Sequence, residues 1–151
     1  MQRSLKYLIT SAKSTCFYGI LAMLILLFGY TAASKFMDYR TFRNELSQSE
    51  IGRYFPASVY WVVPATEIAI IFLLTLRKSQ VAGLLAAASF LVITATYLYL
   101  SINMGPGLPC ACGGFFDHLP KGPHIALNLG FALLAGIGVT IKPINKKVHR
   151  T

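Results

Sequence analysis

Four long apolar runs divide the chain, at residues 16–33, 59–76, 81–102 and 125–141. Each reaches or approaches the roughly 20 residues that an α-helix needs to cross a bilayer core about 30 Å thick. The pattern predicts four transmembrane helices over those residues, packed as an all-α, polytopic four-helix bundle in a single domain over 1–151. The polar stretches between them are short. Residues 34–58 form the longest connection, too brief and too charged to bury a core of their own, and Arg77 and Lys78 mark a tight turn between the second and third runs. No internal repeat or low-complexity tract interrupts this order. Small residues four apart, Gly29/Ala33, Gly83/Ala87 and Ala132/Gly136, predict close approaches between helix backbones. The first run also resembles a secretory signal, with a basic start, an apolar stretch and Thr31-Ala32-Ala33. Its small-residue edge favours a retained helix.

Composition agrees with a membrane protein: 55% of the 151 residues are hydrophobic and 13% charged, and the mean hydropathy is +0.58. That leaves too little polar surface for a soluble globule. A net charge of +9 would suit nucleic acid, but the positions of the cations matter more than their sum. Nine of them, Arg3, Lys6, Lys13, Arg77, Lys78, Lys142, Lys146, Lys147 and Arg150, flank helix ends that share one side of a four-span topology. Five, Lys35, Arg40, Arg43, Arg53 and Lys121, fall on the other. The positive-inside rule then predicts cytoplasmic termini, with loops 34–58 and 103–123 facing outward. The expected partner is membrane lipid and not nucleic acid, since basic blocks beside membrane ends set orientation and meet anionic headgroups.

Charges inside the bundle need a reason, because one at the bilayer centre costs at least a few kcal/mol. Glu67 is such a case, near the middle of the second run and three residues after Pro64, whose ring and missing N–H disturb the helix. Lys35, at the outer end of the first helix, is the expected partner if its stem snorkels inward. The carboxyl then either fixes helix packing or serves as a proton acceptor near a quinone or redox site.

Two thiols sit within bonding reach at one place only, Leu108-Pro109-Cys110-Ala111-Cys112-Gly113-Gly114, before the last run. Outside the cytoplasm such a pair tends toward a disulfide. With one intervening residue the ring is tight, and a strained bridge is more easily exchanged than a relaxed one. Pro109 and the two glycines suit the turn this requires. A bridge that only pins the loop is the plainer alternative. Metal binding is another: His118 and His124 follow the pair as Cys-x-Cys-x5-His-x5-His, a spacing unlike zinc fingers that could still wrap Cu(I) or Zn(II). Otherwise His124 heads the last helix and shares a face with Asn128 four residues on, where either can hydrogen-bond within the bundle or steady a thiolate. Cys16, across the membrane from the pair, is expected to be a small packing residue. Tyr54, Tyr60, Trp61, Tyr97 and Tyr99 suit an interfacial aromatic belt or the wall of a quinone pocket.

Together, Ala33-Ser34-Lys35-Phe36-Met37-Asp38, Pro64-Ala65-Thr66-Glu67, Pro109-Cys110-Ala111-Cys112-Gly113-Gly114 and His124 with Asn128 resemble the MauE/DoxX group of redox-associated membrane proteins. The likeness covers nearly the whole chain and is strongest in the Pro-Cys-x-Cys-Gly-Gly loop. It implies a four-helix bacterial inner-membrane protein tied to extracytoplasmic thiol chemistry. MauE is associated with methylamine utilisation and maturation of the disulfide-rich small subunit of methylamine dehydrogenase, and DoxX relatives with a thiosulfate:quinone oxidoreductase. The leading expectation is a thiol-disulfide oxidoreductase, or an accessory subunit of one, that passes electrons between a periplasmic dithiol partner and the membrane. In that scheme Cys112 meets the partner, Cys110 resolves, and His118, His124, Asn128, Glu67 and Lys35 give support. A quinone is the candidate electron acceptor, and no metal is assigned. The alternative is a non-enzymatic assembly factor, or a small subunit of a larger respiratory or secretion complex, with a structural Cys-x-Cys bridge. A transporter ranks last, since only Lys35, Glu67, Thr94, Thr96 and Asn128 could line a polar path.

Overall fold

The structure is a computed structural model that describes residues 2–48, 58–104 and 121–143. They form five helices: α1 (Gln2–Met37), α2 (Tyr39–Gln48), α3 (Val59–Thr75), α4 (Gln80–Met104) and α5 (Lys121–Ile141). Four of these coincide with the four apolar runs. The fifth, α2, lies inside the connection 34–58, where a loop was expected. Asp38 makes it possible: its N–H bonds the Ser34 carbonyl at 3.0 Å, closing the last turn of α1. Its Oδ1 accepts the Thr41 N–H at 3.3 Å and so caps the start of α2.

The four long helices pack in a ring, α1 and α4 each lying against both α3 and α5. Phe17, Leu24 and Phe28 of α1, Ile70 and Leu74 of α3, Leu84 and Ala87 of α4 and Ala135 of α5 meet in the middle, each at most 2% exposed. The outside is apolar as well. Leu26, Phe72, Ile93 and Leu133, one from each long helix, are 72%, 64%, 67% and 71% exposed. Helices hydrophobic on every face need lipid around them, and this is a membrane protein.

Apolar stretches of 27, 21 and 20 residues in α1, α4 and α5 are long enough to cross a bilayer. With 17 residues, α3 is only about 25 Å long at 1.5 Å per residue, shorter than the expected 59–76 span. It stops because Leu76 turns extended, with ψ 115°. The Ser79 hydroxyl then donates to the Leu73 carbonyl at 3.0 Å, which holds the turn. Gly83 completes it: a Cβ there would stand 2.8 Å from the Leu74 backbone nitrogen.

The expected close approach at Gly83/Ala87 is therefore present. Those at Gly29 and Gly136 are not, since a Cβ on either would meet nothing within 4 Å. The close contact along α5 falls instead at Gly138, where a Cβ would lie 3.2 Å from Leu84 and 3.4 Å from Ile20. Cys16 also departs from expectation, for it is exposed and takes no part in core packing.

These contacts fix the direction of each helix. Ile20, Leu84 and Gly138 share one level, and one step further Phe28 meets Phe90 edge to face with ring centroids 5.8 Å apart. Thus α1 and α4 run parallel while α3 and α5 run against them. One end of the bundle carries the Arg77-Lys78 turn. The other, the loop end, gathers the last turns of α1 and α4, the first turns of α3 and α5, and α2.

Candidate functional site

Five polar or charged side chains are buried among the described residues, and four of them lie toward the loop end: Lys35 (5% exposed), Glu67 (2%), His124 (3%) and Asn128 (6%). Lys35 is two residues from the end of α1, yet its side chain runs back into the bundle, as helical side chains lean toward the N-terminus. Its Nζ donates to the Glu67 Oε1 at 2.9 Å and to the Thr31 carbonyl at 3.3 Å. It also lies 5.8 Å from the centre of the Phe42 ring. The Lys35–Glu67 partnership expected from the sequence is thus formed, and α2 supplies the aromatic face above it.

The other members of the layer can be placed by counting turns. From the shared level of Ile20, Leu84 and Gly138, Thr31 stands eleven residues along α1, Thr94 ten along α4 and Asn128 ten along α5. At about 1.5 Å per residue, all three lie roughly 15 Å toward the loop end. Lys35 reaches the Thr31 carbonyl, so the ammonium and the Glu67 carboxylate occupy that depth too. His124 is one helical turn nearer the loop. All four long helices therefore bring a polar group to one layer within the bundle.

Part of this layer is unsatisfied. Glu67 Oε2, Asn128 Nδ2 and Ser34 Oγ are buried with no hydrogen-bond partner among the described residues. In an apolar surrounding each such atom costs on the order of 1–3 kcal/mol. One is an acceptor, one a donor and one can act as either. The membrane-embedded threonines are not part of this set. Thr66, Thr94 and Thr96 each donate to the carbonyl four residues earlier, at 2.7, 2.8 and 2.8 Å.

At the loop end α2 is held by Phe42, which is 4% exposed and packs with Tyr60, Tyr39, Val63 and Tyr97. Tyr39 stacks on Trp61 with centroids 5.0 Å apart. Trp61 and Tyr99 are 57% and 59% exposed, as an interfacial belt requires, whereas Tyr60 is buried. Tyr54 lies outside the described residues. Ser34 and Phe42 were not singled out from the sequence; Phe42 is the one large apolar residue inside the polar stretch RTFRNE, and that was its only signal.

Cys110, Cys112 and His118 lie outside the described residues. The segment that carries them joins Met104 of α4 to Lys121 of α5, so both of its anchors are at the loop end. Of the four donors in the Cys-x-Cys-x5-His-x5-His spacing, His124 alone is described.

A family model described as methylamine utilisation protein MauE matches residues 13–141. The match takes in α1 from Lys13 onward, the other four helices, the polar layer and the Cys110-Ala111-Cys112 segment. It bears on the MauE half of the resemblance. No curated protein and no solved structure matches the chain.

Proposed function

The chain belongs to the MauE family, and from that premise we propose that it oxidises the dithiol of a partner protein and passes the electrons to a membrane quinone. The observation that carries this reading is Pro109-Cys110-Ala111-Cys112-Gly113-Gly114, which falls within the family match in a segment whose two anchors are at the loop end, the end toward which the buried polar layer lies. Nine cations against five argue for cytoplasmic termini and an extracytoplasmic thiol loop in a bacterial inner membrane.

In the proposed cycle Cys110 and Cys112 begin as a disulfide. A partner thiolate attacks the Cys112 sulfur, forming a mixed disulfide and releasing Cys110 as a thiolate. The second partner thiol displaces Cys112, which leaves the partner with a disulfide and this chain with two thiols. Two electrons and two protons have moved. A quinone then takes both pairs to become the quinol, and the Cys110–Cys112 bond re-forms. Attack and departure favour thiolates, for which His118 and His124 supply nearby positive charge when protonated. Glu67 and Asn128 offer the acceptor and the donor that a quinol hydroxyl and a quinone carbonyl need. In the MauE setting the partner is a disulfide-containing subunit awaiting maturation.

The test is to trap the mixed disulfide in cells. Cys110→Ser is expected to accumulate a higher-mass adduct through Cys112 that a reductant releases, and Cys112→Ser to form none. If neither variant forms an adduct and the partner's disulfide still matures, the redox reading fails. The protein is then an assembly factor or complex subunit, a role for which one dithiol without a second relay pair suffices.

A further inference from the structure

Beyond the thiol loop and the polar layer, the outer face of α2 forms a second site. A groove of about 540 Å³ is lined by Tyr39, Arg40, Arg43, Asn44, Ser47 and Tyr60. That volume lies within the range of small-ligand sites, roughly 300–1,000 Å³. On a helix, Arg40, Arg43, Asn44 and Ser47 recur at i, i+3, i+4 and i+7 and so form one stripe. Phe42 turns the opposite way and is buried. The lining contains two guanidiniums and four neutral groups able to donate hydrogen bonds, and no carboxylate.

Among the described residues neither cation is paired with a carboxylate. The Arg43 guanidinium lies over the Tyr60 ring at 6.0 Å. The ion pair formed among the described residues is Lys35 with Glu67, and neither Arg40 nor Arg43 takes part. Trp61, which stacks on the groove residue Tyr39, and Phe36, whose ring centroid lies 6.5 Å from that of Trp61, are 57% and 49% exposed. Positive charge next to exposed aromatic surface is the arrangement of an interfacial helix, with apolar residues in the acyl boundary and cations at headgroup depth.

We propose that the Arg40/Arg43 groove binds the phosphodiester of an anionic phospholipid, which seats α2 on the membrane surface at the loop end of the bundle. Guanidinium pairs suit phosphate because their planar forks donate two parallel hydrogen bonds to it. Asn44, Ser47 and the tyrosines remain for the glycerol hydroxyls. The apolar rim favours a lipid over a free anion or an acidic protein, neither of which needs it.

The test uses the full chain in detergent and native mass spectrometry against phosphatidylglycerol and phosphatidylcholine, with inorganic phosphate as competitor. Wild type is expected to retain phosphatidylglycerol over phosphatidylcholine, and millimolar phosphate not to displace it. Arg40→Gln/Arg43→Gln is expected to weaken retention at least about tenfold, since each lost charge-assisted contact is worth about that much. Asn44→Asp, which keeps shape but adds a carboxylate at an exposed site, is expected to do the same and guards against misfolding of the double variant. Arg77→Gln/Lys78→Gln at the opposite end is expected to leave retention unchanged. Equal loss from that control, no loss from the groove variants, or ready displacement by phosphate overturns the proposal.

Discussion

Lys35 and Glu67 contribute less by attracting each other than by each preventing the other from being a lone charge in an apolar core. Their side chains are 5% and 3% exposed. Removing one partner of such a pair costs about 3–5 kcal/mol, whereas replacing both by apolar residues can be neutral. Lys35→Met is therefore expected to lower the thermal midpoint in detergent sharply, and Lys35→Met/Glu67→Leu to recover most of the loss. A double variant as unstable as the single would show that the pair is not what the rest of the layer relies on. Gly83 gives a second contrast. An alanine there pushes against the Leu74 backbone 2.8 Å away and is expected to cost about 1–3 kcal/mol as overpacking. At Gly136, where a Cβ meets nothing within 4 Å, alanine is expected to be neutral or to stabilise the helix. Thermal midpoints of the two variants test the difference. The pair was legible in the sequence because a carboxylate inside an apolar run demands a cation, and Lys35 is the one with reach. The glycine contacts were half legible, since a four-residue spacing says that residues share a face and not which way that face looks.

Among the elements, α2 decides how the loop end is covered. Its burial rests on Phe42, and the remaining residues with described side chains at its start are exposed or half-exposed. Phe42→Ala is expected to raise hydrogen–deuterium exchange across Tyr39–Gln48 while α1, α3, α4 and α5 keep their protection. Unchanged exchange in α2 would mean that its stability comes from its own cap at Asp38. Length and charge led the connection 34–58 to be read as a loop, because a ten-residue helix with a single anchoring aromatic hardly registers in hydropathy. The long helices were legible for the opposite reason, as runs of nearly 20 apolar residues have few other destinations. The helices α1, α4 and α5 extend beyond their apolar runs into polar flanks, most of all α1, which begins at Gln2, whereas α3 ends one residue early, at the Leu76 that turns extended.

For the whole molecule, the ring of four helices sets a polar layer about two-thirds of the way toward the end from which the thiol segment departs. Cys16 is exposed on the first part of α1, far from that end, so Cys16→Ser is expected to leave any thiol-dependent phenotype intact. An effect equal to that of Cys112→Ser would contradict the separation of the thiols. The family, the membrane and the bundle follow from patterns spread over the chain, which is why they were readable. The proposed chemistry rests on two cysteines in one short segment outside the described residues, where the pattern of apolar runs carries no information. The decisive measurement is maleimide mass-tagging of thiols in intact cells, quenched with acid, with and without prior reduction and with quinone synthesis on or blocked. A cycling Cys110–Cys112 disulfide predicts two tags gained only after reduction in quinone-replete cells, and a build-up of the doubly tagged form without reduction when quinone is withdrawn. A bridge that stays oxidised in both conditions, or thiols that are free throughout, would contradict it.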